Sequence, residues 1–237
     1  MSNLFHTEMH GDVAVIKFDD GKANVLSLAA SQELLEQLDT MEDEAKALVL
    51  AGREGFFSAG FDLKVMQGSD SDATRKMIAS GVDLFLRLYT YGQPVVSACT
   101  GHALAAGAIL LMCSDVRIGA SGSFKIGLNE VAAGMPVPAF LAEIASDRLS
   151  RRHYSHATML ARMYSPTEAV DAGFLDEVAS DGEATVEAAV TQATTLAETL
   201  YQKPFRITRE TVRGAAAERI RGSLGDDITS LMNHPLD

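Results

Sequence analysis

The sequence predicts a mixed α/β fold, with helices packed on sheets and a helical region at its C-terminal end. Three features carry this. A β-β-α-β order opens the chain, two short apolar β-rich segments lead into glycine-containing loops, and only helical patterning is present after about Glu183.

Taken in order, Val13–Phe18 is β-rich and closed by the turn "FDDGK", and Phe5–Met9 is placed to pair with it. Ser27 reads as the N-cap of a helix from Leu28 to about Met41, with apolar Leu34, Leu35 and Leu38. "AKALVLAG" is a short buried strand, and "REGFFSAGFDLK" reads as a loop with two glycines. A helix begins after "GSDSD", runs to about Tyr91 and is broken by Gln93–Pro94. "VVSACT" is a buried strand, "GHALAAGAILLMCSD" a turn opening a small-residue helix, and "VRIGA" another strand. Phe124–Ile126 is a short strand. "SPTEAVDAGFLDEVA" reads as cap, helix, glycine stop and strand. The final helical stretch is expected to divide at Lys203–Pro204 and at Gly222.

The bulk numbers exclude several classes. With 47% hydrophobic and 22% charged residues, the 237-residue chain can bury a core of one large domain. The net charge of -12 and the lack of a basic cluster argue against a nucleic-acid partner. The arginine-rich stretch Arg206–Arg221 also carries Glu210 and Glu218, and reads as a solvated helical face. Cys99 and Cys113 lie in apolar segments and are expected to be buried and reduced. No signal peptide is read at the start, and the longest apolar run, Ala103–Cys113, is too short to span a bilayer. The expectation is a cytoplasmic protein without a membrane partner.

No G-x-S-x-G elbow, P-loop or G-x-G-x-x-G is present. His153 and His156 share helical spacing but lack a third ligand, so no metal site is expected. His102 reads as a loop residue bonded to backbone. The two glycine loops are more informative. Loops that leave strand ends gather ligands in α/β sheets. Two such loops can offer two backbone N–H groups to one oxygen. The competing reading is a pair of tight turns.

One further stretch is unusual. Between Val116 and Ala142 the only acidic residue is Glu130, in "FKIGLNEVAAGMPVPAF". Two structural roles compete for it: the first turn of a helix capped by Asn129, and an ion pair with Lys125.

"FFSAGFDLKVM", "GHALAAGAILLMCSDVRI" and "FKIGLNEVAAGMP" resemble, in order, three segments of the crotonase superfamily, the enoyl-CoA hydratases and isomerases. "KANVLS" resembles that family's early CoA-contacting turn, and "SPTEAVDAGFLDEV" its helix-turn-strand before the C-terminal helices. The resemblance covers nearly the whole chain. It implies the crotonase (ClpP-like) fold of repeated ββα units with a C-terminal helical appendage. Residues 1–182 would form the core with an acyl-CoA site, and residues 183–237 a helical region for oligomer packing.

It also implies site residues. The backbone N–H groups of Phe61 and Ala106 would form an oxyanion hole for the thioester oxygen. Lys22, Ala23, Val25, Ala59, Gly60, Asp62, Leu63, Lys64, Leu104, Gly107, Ile109, Gly134 and Met135 would contact substrate or CoA, with Lys22 and Lys64 offsetting phosphate charge and Phe61 and Met135 walling the acyl pocket. The family's hydratases use two glutamates. Here one matches Glu130, and the place of the other is Ile109. Hydration divides its work between two acid/base groups, whereas moving a double bond needs one base and no water. The site pattern therefore resembles Δ3,Δ2-enoyl-CoA isomerases most, with Glu130 as the base. The alternatives are an enoyl-CoA hydratase or other acyl-CoA thioester reaction, and a catalytically silent acyl-CoA binder. No cofactor is expected beyond CoA as part of the substrate. The resemblance implies a homo-oligomer, a trimer or a dimer of trimers, packed through apolar residues such as Leu196, Leu200, Phe205, Ile207, Ile220, Leu224 and Ile228.

Overall fold

The computed structural model describes residues 3–233. Four ββα units succeed one another. The first holds β1 (Phe5–His10), β2 (Val13–Phe18), the short β3 (Val25–Leu26) and α1 (Leu28–Glu44). The second holds β4 (Ala47–Ala51), β5 (Gly55–Ser58), the short β6 (Gly60–Phe61), α2 (Leu63–Met66) and α3 (Ser71–Tyr89). The third holds β7 (Val95–Cys99), β8 (Gly101–Leu104) and α4 (Ala106–Met112). The fourth holds β9 (Val116–Ala120), β10 (Ile126–Gly127), a 3-10 turn at Val131–Ala133, and α5 (Ala139–Arg148). Helices α6 (Arg151–Thr158) and α7 (Pro166–Ala172), strand β11 (Glu177–Ala179), and the long α8 (Gly182–Thr199) and α9 (Gln202–Met232) complete the chain.

In the second, third and fourth units the first strand and the second enter different sheets, whereas β1 and β2 of the first unit pair within one sheet. The main sheet has the order β1-β2-β4-β7-β9-β11, parallel throughout except for the β1–β2 hairpin. Both faces of its parallel strands are covered, which explains their continuous apolar runs. On one face α8 lays Ala189 and Ala193 over Val13, Val15, Val49, Val96 and Ile118. On the other, α1, α3 and α4 form the larger core with Leu34, Leu38, Ile78, Leu84, Phe85 and Leu110. The second strands build a small parallel sheet of order β10-β8-β5.

Several local expectations hold. The Ser27 hydroxyl accepts from the Ala30 N–H at 3.1 Å and starts α1. Ser165 and Glu168 form a capping box at α7, which Gly173 ends in the left-handed conformation.

Others are corrected. The stretch from Arg53 to Lys64, read as one loop, contains β5, β6 and the start of α2, and Gly101–Leu104, read as a turn, is β8. These strands are two to four residues long, too short for a period, and only distant partners define them. The short strand read at Phe124–Ile126 is Ile126–Gly127. The last helices part at Leu200–Tyr201 and not at Lys203–Pro204 or Gly222. Pro204 sits in the first turn of α9, where a missing N–H costs nothing, and Gly222 lies inside the helix.

The arginine-rich face is the largest correction. Arg209 and Arg213 are buried, and both donate to Asp115, at 2.6 and 3.0 Å. Each also donates to the Tyr89 carbonyl, at 3.2 and 2.9 Å. Asp115 in turn accepts from the Val95 N–H. This network clamps α9 to the end of α3 and the start of β7.

Candidate active site

Three parallel strands end side by side, and the segments just beyond their ends form the candidate site. In the small sheet Ser58 pairs with Ala103, and Gly127 with Leu104. Two or three residues beyond those ends stand Phe61, Ala106 and Glu130. The register therefore gathers segments 69 residues apart, as the sequence pattern requires of the two loops and the third segment.

The first loop is held by groups that the sequence pattern does not single out. Asn24 is fully buried with φ 53°, a conformation that Asn tolerates. Its amide donates to the carbonyls of Phe18, Phe56 and Phe57, and its own carbonyl accepts from the Ser58 hydroxyl at 2.7 Å. The Ser58 oxygen accepts the Gly60 N–H at 3.1 Å. Asp20 accepts from the N–H groups of Lys22, Asn24 and Val25 and shapes the turn. An Asn just ahead of a short strand, in a turn opened by Asp and Gly, was the available signal.

That turn brings the CoA candidates together. β3 pairs with β6, setting Val25 opposite Gly60 and Leu26 opposite Phe61, while the Ala59 N–H donates to the Ala23 carbonyl. Lys22, Leu63 and Lys64 are exposed beside them. Arg53, which the sequence pattern did not mark as a site residue, donates to the Lys22 carbonyl at 2.6 Å. Asp62 caps α2 by accepting from Lys64 N–H.

The second loop abuts the first. A Cβ on Gly60, at φ 88°, would lie 2.9 Å from the Leu104 carbonyl and 3.0 Å from the Ala106 nitrogen. Only glycine fits there. A Cβ on Gly107 would fall 2.2 Å from the Ser58 carbonyl, so that glycine serves close packing of α4 on β5. Ala106 is the first residue of α4, so its N–H has no acceptor within the helix. The residue before it, Ala105, is held at φ 49° and ψ -124°. Ile109 is buried in the core one turn into α4.

Neither structural alternative holds for Glu130. It is 6% exposed, and its Oε2 has no partner. Glu130 itself occupies the N-cap position of the 3-10 turn, with no side-chain cap bond, and Asn129 Oδ1 is likewise buried and unpartnered. Among the described residues no ion pair joins Glu130 to Lys125. Burial raises the Glu130 carboxyl to about 7, against a weaker lowering by its own backbone N–H. The turn closes at Gly134, φ 77°, and the Met135 N–H returns to the Glu130 carbonyl at 2.9 Å.

A cavity of about 580 Å3 opens next to this turn. Ala133 and Met135 line it, with Leu63 and Met66 of α2, Thr74 of α3, and Leu231 and Met232 at the end of α9. Met135 thus lines this cavity. Phe61 is not among the lining residues, because its ring turns onto α3, 6.0 Å from that of Phe85. His102 lies on β8 and accepts from the Lys125 N–H. His153 and His156 have ring centroids 6.4 Å apart, and among the described residues no three His, Cys, Asp or Glu are grouped to hold a metal. Burial pushes the Cys99 and Cys113 thiols up to about 12. Among the described residues no helix is long and apolar enough to cross a membrane.

Comparison with known proteins agrees with this arrangement. The profile of the enoyl-CoA hydratase/isomerase family matches residues 8–222. The chain is 30% identical over 221 residues to the mitochondrial enoyl-CoA delta isomerase 1 of Mus musculus, covering 92% of this chain and 76% of that one. It superposes on an enoyl-CoA isomerase of Mycobacterium tuberculosis with a TM-score of 0.90 at 39% identity, covering 97% and 99% of the two chains. An enoyl-CoA hydratase of Mycobacterium ulcerans superposes with a TM-score of 0.91 at 36% identity, covering 97% and 100%. Isomerase and hydratase names thus occur at similar distances. The division of first and second strands between two sheets in the second to fourth units, the register of the three strand ends and these likenesses together make the chain a member of the enoyl-CoA hydratase/isomerase family, with the crotonase fold.

Proposed function

We propose that the protein shifts the double bond of a 3-enoyl-CoA to give the 2-trans-enoyl-CoA, with Glu130 as the only acid/base group. One observation carries this reading. A buried carboxylate with an unpartnered oxygen stands at the site, and the place of a second carboxylate is taken by the hydrocarbon of Ile109. The thioester makes the α-hydrogens acidic. Phe61 and Ala106 N–H groups hold the thioester oxygen as negative charge grows on it. Glu130 takes an α-proton, leaving a dienolate, and returns a proton to the γ-carbon. Bonds and charges balance with no water and no further reactant. A carboxyl raised to about 7 suits the task, since it is a stronger base than an exposed carboxylate yet is ionised in useful amount near neutrality.

CoA would lie along Lys22–Val25 and Ala59–Lys64, where exposed Lys22 and Lys64 offset its phosphates. No metal or redox group takes part in the proposed step. The active form would be a trimer or a dimer of trimers. Exposed Leu200, Tyr201, Ile207 and Val212 near the α8–α9 junction support such an assembly, whereas Ile220 and Ile228 are used inside the chain.

The test compares two rates on one preparation. Conjugated 2-enoyl thioester should form from 3-enoyl-CoA faster than crotonyl-CoA is hydrated. Faster hydration would select the hydratase reading. CoA-ester binding without turnover of any thioester would select a silent binder.

A further inference from the structure

Gly81 stands in the middle of α3, a 19-residue helix, and is buried. A glycine inside a helix is a poor choice for the helix itself, so a packing reason is expected. The reason is Phe61. A Cβ on Gly81 would fall 2.3 Å from Phe61 Cε1 and 2.5 Å from its Cζ. The bare surface of α3 is the seat of that ring. Beyond it Phe85 and Phe140 continue the aromatic row, with centroids 6.0 and 6.2 Å apart. The ring of Phe61 is thereby kept out of the cavity that its near neighbours Leu63 and Met66 line. Thr74, two turns before Gly81 on α3, lines the same cavity.

The cavity has the character of an alkyl site. Its volume, about 580 Å3, is in the range of small-molecule pockets, and Met66, Met135, Leu231 and Met232 give it adaptable apolar walls. Gln67, Ser69 and Ser71 form its polar side.

We infer that Gly81 determines acyl-chain length: by seating the Phe61 ring against α3, it leaves the cavity open to the tail of a medium or long acyl chain. A methyl group at Gly81 drives the ring off its seat. The core behind it is filled by Phe85 and Phe140, so the open cavity is the direction left to the ring. The inference rests on the acyl-CoA reading of the site but not on the isomerisation.

The test measures binding of saturated acyl-CoA esters, from butanoyl- to dodecanoyl-CoA, to the full chain by calorimetry. Wild type should bind more tightly as the chain lengthens. Gly81→Ala should keep the affinity for butanoyl-CoA and lose about tenfold or more for the longest esters, the scale on which apolar pockets discriminate. Adding Phe61→Ala should restore long-chain binding, because the displaced ring is gone while the backbone N–H stays. Phe61→Ala alone should keep the wild-type chain-length series, because the ring does not line the cavity, and long-chain binding regained in the double variant guards against a misfolded Gly81 variant. A wild-type affinity indifferent to chain length would overturn the inference. So would an equal loss for all esters in Gly81→Ala, or no rescue by Phe61→Ala. The isomerase assay on the same wild-type protein separates the two claims: the expected chain-length series without isomerisation would remove the proposed reaction and leave the role of Gly81 standing.

Discussion

Single residues at this site are kept in states that cost stability. Glu130 is a carboxyl whose ionised form has no buried partner at Oε2. Its folded value, about 7, lies above the ordinary 4.5. Between those values the folded chain holds a proton that the unfolded chain has lost, so stability falls as pH rises from about 4.5 to about 7 and levels off above. The shift corresponds to on the order of 3 kcal/mol. Urea melts should show this slope in wild type and its loss in Glu130→Gln, which becomes the more stable protein at pH values above about 7. The rate on 3-enoyl-CoA should run the opposite way, rising with pH as the base ionises. Ala105 is a second case. An Ala at φ 49° is strained, and a Gly there would not be. Ala105→Gly is expected to raise stability by about 1 kcal/mol, read as a higher urea midpoint at unchanged m-value. The sequence made Glu130 conspicuous through its isolation in an apolar stretch. It could not show the strain at Ala105 or the work of Asn24 and Ser58. Those depend on backbone angles and on partners 32 to 34 residues away.

At the scale of elements, the long helices and the buried parallel strands were legible because each carries its own period or apolar run. The small sheet was not. β5, β8 and β10 have two to four residues each, and what defines them is lateral pairing. The site was still traceable, because the family segments lie on those strand ends. Helix α9 was misread for a different reason: an Arg/Glu mixture has the same appearance whether its arginines meet water or a buried acid. Arg209 and Arg213 share Asp115, and the end of the same helix lines the proposed acyl cavity with Leu231 and Met232. Asp115→Asn leaves two buried guanidinium groups without their counter-charge. A loss of about 3–5 kcal/mol in urea unfolding is expected. Weaker binding of long-chain acyl-CoA should accompany it, while short-chain binding changes less.

For the whole molecule, the comparison with relatives settles family and fold but leaves the reaction open, since isomerase and hydratase names sit at similar identity. The choice between them turns on one position, Ile109, and on the burial of Glu130. Assembly is a separate expectation at this scale. Light scattering should give the mass of three or six chains of 25.3 kDa, and a monomeric mass would refute the proposed oligomer. Exchanging exposed Ile207 and Val212 for Lys should lower the mass if that surface is the contact.

The central claim is that Glu130 alone moves the proton. The most direct measurement is the single-turnover rate of Glu130→Gln on a bound 3-enoyl-CoA, with binding of the thioester checked separately. Gln keeps the shape of the side chain and removes the base. The rate of double-bond migration should fall by about 10²–10⁴-fold at unchanged thioester affinity. Migration at the wild-type rate in Glu130→Gln would contradict the claim.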